Sequence, residues 1–363
     1  MRAGDLKDKL DRIISSAKGI DAIVLANMQE PMIDPNFLYL TGFTSGLFED
    51  SFLVATREKV YLLTSPLEME TARLQKKPGM QLIDATYDKA KLARWMKKLI
   101  GGKRIGINEE FLPVSINSMI KKNFRPKAIK GINSAFNAAR EIKTHEEIEK
   151  IRHAVQITKW TMLKVQKYFK AGMTELELAA QFNYIAMTLG SSGPSFPTLV
   201  SFGPNTALPH HLPDNTKLKD GDFIIIDAGV KVQNYCSDLT RTFLFGTHDP
   251  MKKEIIDTVR KAQIEAIHAI RPGAIASEIY DIANHHINTA HNGKYKGRFI
   301  HKLGHPIGIE VHDMGQHLLA PDVKSRLKAG MVTSVEPGIY INGFGGARIE
   351  DDILIADEGA IIL

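Results

Sequence analysis

Two acids, Asp227 and Glu336, hold the same place in two copies of one pattern, LKDGDFIIIDAGV over residues 218–230 and LKAGMVTSVEPGI over residues 327–339. In each copy Leu, Lys and Gly recur in step, an apolar run follows, and Gly comes two residues after the acid. Each acid also has a second acid downstream: Asp238 in SDLTRTFLF and Glu350 in ARIEDDILI. A carboxylate at the end of a buried strand is costly without a partner. Four converging carboxylates repel one another, and divalent cations relieve both penalties. An oxygen-rich set suits Mn, Mg, Ca or Co better than a structural zinc site. His305, between Gly304 and Gly308 in HKLGHPIGIEVHD, is the candidate fifth ligand, presented by a tight turn. The chemistry on offer is a metal centre or an acid/base pair.

For these acids to meet, each copy must form a strand ending at the acid, a turn and a returning strand, with Asp227 and Asp238 face to face. Residues 223–226, Phe-Ile-Ile-Ile, read as such a buried strand. A weaker echo pairs AGMTELELAAQF near Gly172 with PGAIASEIYDIA near Gly273, matching Glu177 to Glu278. The chain from Thr144, which opens a helix with the capping box Thr144–Glu147, therefore reads as an α+β domain with internal pseudo-twofold symmetry. Before it, an amphipathic helix carries Leu6, Leu10, Ile13 and Ile14 on one face. Strands are expected at residues 22–25, 37–40, 51–55, 60–63 and 104–108, and helices at 68–75, 89–100 and 114–122. This alternation argues for an α/β domain. The small and polar stretch 131–138 is the expected linker, giving domains 1–135 and 136–363.

Bulk properties exclude several classes. With 363 residues, 44% hydrophobic and 24% charged, the composition is that of a globular protein with no membrane span. No signal-peptide core opens the chain, so a cytoplasmic location is expected. The net charge of +6 lies in residues 1–150, with 25 basic against 19 acidic residues, while the remainder balances at 22 each. Its densest patch, Lys121, Lys122, Arg125, Lys127 and Lys130, lacks interleaved aromatics, so it reads as a solvated face and no nucleic-acid partner is expected. The single cysteine, Cys236, allows no intrachain disulfide and reads as a small buried filler.

The ordered set IDAG, SDLTRT, GHPIG, EVHD, EPGIY and RIED resembles the pita-bread metallopeptidases: methionine aminopeptidase, aminopeptidase P and prolidase. NFLYLTGF at residues 36–43 resembles the creatinase-type N-terminal domain that accompanies prolidase and aminopeptidase P. The resemblance implies a creatinase-type α/β domain followed by a pita-bread α+β domain, and two divalent metal ions per subunit, Mn or Co, with Zn or Fe as alternatives. It implies Asp227, Asp238, His305, Glu336 and Glu350 as ligands. Asp238 and Glu350 would bridge, Asp227 would complete one metal, and His305 with Glu336 the other. A hydroxide shared by the metals would be the nucleophile, and Glu336 would carry a proton towards the proline nitrogen. His312 would stabilise the tetrahedral intermediate, and His210 and His301 would line the substrate pocket. Tyr340 and Arg348 would support Glu336 and Glu350. His211 matches no motif and reads as a bystander.

The implied reaction is hydrolysis of the Xaa-Pro bond in a proline-containing di- or oligopeptide, by a homodimer. An Xaa-Pro dipeptidase is favoured over the alternative, an aminopeptidase P acting on longer peptides. The N-terminal domain argues against a methionine aminopeptidase, and the intact ligand set against a non-catalytic binding protein. Two departures stand out. Pro306 follows His305 where many relatives have Gly. Residues 313–317 read Asp-Met-Gly-Gln-His where prolidases have Glu, Pro and often the Arg that anchors a dipeptide's terminal carboxylate.

Overall fold

The computed structural model describes residues 5–29 and 31–363. It divides into two compact units, Met1–Ala139 and Arg140–Leu363. The first runs α1 (Asp5–Ser16), β1 (Ala22–Ala26), α2 (Pro35–Thr41), β2 (Phe52–Ala55), β3 (Val60–Thr64), α3 (Pro66–Gln75), β4 (Met80–Asp84), α4 (Lys89–Ile100), β5 (Arg104–Ile107), α5 (Val114–Phe124) and β6 (Ala128–Gly131). Its six-stranded mixed sheet has the order β4-β3-β2-β1-β5-β6. The pairs β1/β5, β3/β4 and β5/β6 are parallel, so they need crossovers, and α3 and α5 lie in two of them. On α1, Leu6, Leu10, Ile13 and Ile14 are all buried, as their spacing requires.

Two expectations fail here. Residues 37–40 are helical, inside α2, and not a strand. The Asp34 carboxylate accepts the Asn36 N–H at 2.9 Å, Pro35 sits in the first turn, and Gly42 closes the helix at φ 63°. Both helix ends are thus specified, and a short apolar run carries too little periodicity to reveal it. Residues 131–138 are not a linker. They contain the end of β6 and most of α6 (Asn133–Glu141), in which Ala135, Phe136 and Ala139 are buried at helical spacing.

The second unit shows the duplication in its hydrogen bonds. The first half is α7 (His145–Val165), α8 (Glu175–Thr188), β7 (Leu199–Phe202), β8 (Phe223–Ala228), the hairpin β9 (Lys231–Val232) and β10 (Tyr235–Cys236), and β11 (Leu239–Leu244). The second half is α9 (Pro250–Ala269), α10 (Ala276–Gly293), β12 (Val332–Val335), the hairpin β13 (Gly338–Ile341) and β14 (Gly345–Arg348), β15 (Asp351–Ala356) and β16 (Gly359–Ile362). Gly172 N–H donates to Leu218 O and Leu218 N–H to Met173 O; Gly273 with Leu327 and Leu327 with Ala274 repeat both bonds, all four at 2.8 Å. Gly221 and Gly330, equivalent in the two copies of the pattern, share φ values of 85° and 86°, which a side chain would strain. The symmetry breaks at the sheet edges. The third strand lies beside β8 in β11-β8-β7 but beside β15 in β12-β15-β16.

Each half has its own core. Phe182, Val200, Phe202, Ile224 and Ile226 belong to one, and Ile255, Val259, Ala283, Ile287, Val335 and Ile353 to the other. Each of the Val, Ile and Phe side chains among them contributes about 1.5–3 kcal/mol, enough to hold the strands that carry the acids. No described helix is long and apolar enough to cross a membrane.

Candidate metal centre

Strand register decides where the acids point. Val335 pairs with Asp351, so Glu336 and Glu350 follow as the next opposed pair. In the first half Asp227 lies opposite Thr240, and Asp238, two residues before Thr240, shares its face as a diagonal neighbour. The expected face-to-face pairing therefore holds in the second half and becomes diagonal in the first. The place opposite Asp227 goes to Thr240, whose Oγ1 donates to Glu350 Oε2 at 2.7 Å. Glu350 N–H in turn donates to Thr240 O at 3.1 Å, which ties the two halves together at the acids.

His305 arrives from a separate loop. Its N–H donates to Ser334 Oγ at 3.1 Å, and its Nε2 lies 3.5 Å from both Asp238 Oδ2 and Glu336 Oε1. Gly304 serves close approach: a Cβ there would collide with the Ser334 carbonyl. Ligand atoms of Asp238, His305 and Glu350 lie within 4.8 Å of one another. Burial and mutual repulsion act on the whole set. Burial first, then Asp227, Asp352 and Glu336, push Asp238 well above the usual carboxylate range. Burial, then Asp238, Glu336 and Asp227, do the same to Glu350. Burial lifts Glu336 to about 7, with Asp227 adding to it while His305 and Arg348 pull it down. Asp227 Oδ1 and Asp238 Oδ1 are buried and meet no donor among the described residues. Acids that repel each other, buried oxygens without donors and one imidazole are the donor set of hard divalent cations. The residues fit such a site.

A hydrogen-bond chain leaves the centre through Asp227. Arg348 Nη2 donates to Asp227 Oδ2 at 2.5 Å, its Nη1 to Tyr340 OH at 2.8 Å, and its Nε to Thr240 Oγ1 at 3.1 Å. Tyr340 OH lies 2.8 Å from His301 Nε2, and His301 Nδ1 lies 2.7 Å from Lys302 O. The carbonyl fixes the proton on Nδ1, so Tyr340 donates to Nε2 and His301 is neutral. Burial, then Arg348, lower its pKa to about 4 in keeping with this. The His312 ring packs edge-on to His305 at 4.1 Å, and burial followed by the His305 charge lowers His312 to about 4 as well. His210 is exposed and close enough to depress both His301 and His312.

Nine of the ten residues singled out in the sequence are thus tied to one another or to the centre by hydrogen bonds or close contacts, and His210 is near enough to act on His301 and His312 electrostatically. Sequence reasoning missed others. Asp352, two residues after Glu350 and so on its face, accepts the Asp238 N–H at 2.9 Å, and burial raises it to about 8. Its signal was the doubled acid in IEDD. His211 is no bystander: its Nε2 donates to the fully buried carboxylate of Glu175 at 2.7 Å. Asp313 is clamped by Arg140 and by Lys143 at 3.1 Å, and these cations outweigh burial to hold it below the usual range. Alongside, Glu141 is held at about 2 by the His317 ring, whose Nδ1 lies 3.8 Å from Oε1, and by hydrogen bonds from Lys328 Nζ and the Gln316 N–H.

A depressed carboxylate stabilises the fold fully above its unfolded pKa and loses that contribution as pH falls through the folded one. The Glu141 contribution is therefore present above about pH 4.5 and is lost towards about pH 2. Urea unfolding across that window is expected to show a shallower pH slope for Glu141→Gln than for the parent chain; equal slopes would contradict the assignment.

Residues 149–357 match metallopeptidase family M24, and residues 8–142 match the creatinase/prolidase N-terminal domain. An Xaa-Pro dipeptidase of Pyrococcus horikoshii is 32% identical, over 98% of this chain and 96% of its own length. The crystal structure of the prolidase from Pyrococcus horikoshii OT3 superposes with a TM-score of 0.86 at 31% identity, covering 98% of this chain and 97% of that one. An X-Pro aminopeptidase from Thermotoga maritima MSB8 also reaches a TM-score of 0.86, at 29% identity over 96% of this chain and 97% of its own.

Proposed function

The chain belongs to metallopeptidase family M24, and from that premise we propose that it is an Xaa-Pro dipeptidase with two divalent cations in its centre. The observation that carries the reading is the pair of buried oxygens, Asp227 Oδ1 and Asp238 Oδ1, that meet no donor among the described residues, beside the cluster of Asp238, His305 and Glu350 ligand atoms. Asp227, Asp238, His305, Glu336 and Glu350 would hold the cations. Manganese or cobalt is the expected metal, zinc or iron the alternative. Full-length likeness to the Pyrococcus dipeptidase supports the Xaa-Pro substrate class. The proposal extends to a cytoplasmic homodimer.

When bound, the two cations supply a water of lowered pKa and positive charge for the scissile carbonyl. The chain's own residues do the rest. Glu336 takes a proton at Oε from the attacking water and delivers it to the proline nitrogen. His312 donates to the carbonyl oxygen as charge develops there. His301 packs at 5.0 Å from Phe299 and 5.5 Å from Tyr340, an aromatic wall for the proline ring. His210, near His301 and His312, lines the same pocket. Arg348 orients Asp227 through its hydrogen bond to Oδ2.

The test strips the protein with chelator, restores Mn or Co, and compares Ala-Pro, Ala-Pro-Ala and Met-Ala. Metal-dependent cleavage of Ala-Pro alone is expected. Cleavage of Ala-Pro-Ala turns the reading to aminopeptidase P, and no metal-dependent turnover of any peptide sinks it.

A further inference from the structure

Glu175 opens α8 with no exposed side-chain surface. Its Oε1 accepts Phe202 N–H at 2.8 Å and Asn205 Nδ2 at 3.0 Å. Its Oε2 accepts His211 Nε2 at 2.7 Å and Asp214 N–H at 3.0 Å. Every one of these donors belongs to the segment that carries His210. Glu175, His211 and Asp214 also group as metal ligands would. Four protein donors already fill both Glu175 oxygens, however, so the carboxylate has nothing left for an ion. The group is a fastening, not a binding site.

The same segment is tied down on the other side of His210. Thr206 Oγ1 accepts the Gly346 N–H at 2.8 Å, and Pro209 O lies 3.5 Å from Arg348 Nη1, the guanidinium that holds Asp227. His210 therefore sits between two anchors in consecutive residues. Pro209 connects it to the metal-centre side, and His211 to a buried carboxylate of α8. An exposed loop histidine has little packing of its own to fix it. A hydrogen bond to a buried, ionised acceptor is among the stronger single restraints the chain can offer.

We propose that Glu175 and His211 form a positioning pair that sets His210 in the substrate site. The inference rests on the reading of His210 as a substrate-site residue. A displacement of about 1 Å can cost about 100-fold in rate; a loop still anchored at Thr206 and Pro209 loses less.

A double-mutant cycle on the metal-restored enzyme, with Ala-Pro as probe, tests it. His211→Ala is expected to lower kcat/KM about tenfold, equivalent to about 1.4 kcal/mol. His211→Gln, which keeps an N–H donor at similar reach, recovers most of that loss. In a His210→Ala background, His211→Ala costs nothing further, and bound metal measured directly stays at the parent level in every variant. Additive losses overturn the proposal, because His211 then acts on general structure and not through His210. A silent His211→Ala beside an impaired His210→Ala overturns it alone. A silent His210→Ala removes the His210 reading and the pair's role with it.

Discussion

Asp238→Asn is expected to abolish metal-dependent turnover of Ala-Pro and, in chelated protein, to raise the melting temperature. Both effects come from one position. Asp238 is 5% exposed, its Oδ1 meets no donor among the described residues, and Asp227, Asp352 and Glu336 all oppose its charge. Two like charges about 4 Å apart cost about 4 kcal/mol at an effective dielectric constant near 20. Without cations the acid is a burden, and an isosteric amide removes it. With cations it would be a ligand, and an amide oxygen would hold them far more weakly. Activity should fall by at least about a thousandfold, the loss of about 4 kcal/mol of transition-state stabilisation. Each kcal/mol gained in the metal-free state is worth about 2–4 °C in a domain of this size. Calorimetric scans with and without chelator, paired with kinetics, check both halves. A variant that melts lower without metal, or keeps the parent's turnover, would contradict the ligand assignment.

Arg348→Met is expected to carry the largest stability loss. The guanidinium is 4% exposed and donates to Asp227, Tyr340 and Thr240 at once. Its removal strands Asp227 as a buried charge, a loss of about 3–5 kcal/mol, or roughly 10 °C in melting temperature. Restored metal should recover part of the loss, because cations supply Asp227 with a second partner. Asp227→Asn added to Arg348→Met should recover part of it in chelated protein as well, because the stranded charge is gone. Melting curves of the two single variants and the double measure the coupling. Strictly additive losses would show that Arg348 acts by packing and not by pairing with Asp227.

The repeat was legible because duplicated strands keep an acid in register with its equivalent, and register is carried by local sequence. Asp227 and Glu336 needed only the end of an apolar run to be found. Their downstream partners followed from strand return, although sequence alone did not show that Thr240 takes the place opposite Asp227. The illegible parts depend on contacts far apart in the chain. His211 meets Glu175 across 36 residues, and Arg140 meets Asp313 across 173. Nothing local to either residue signals its partner. Residues 37–40 misled for the opposite reason. Their four-residue window fits strand and helix equally, and the deciding caps, Asp34 and Gly42, stand outside it. Residues 131–138 looked like a linker because Gly, Asn, Ser and Ala dominate, and only Ile132 and Phe136 marked a buried face.

The central claim is that Asp227, Asp238, His305, Glu336 and Glu350 together hold two cations that the reaction requires. Calorimetric titration of Mn into chelator-stripped protein, with Ala-Pro turnover followed on the same samples, tests it most directly. The expected result is two equivalents bound per chain, with turnover rising only as they fill. One equivalent, none, or turnover at full rate in the stripped protein would contradict it.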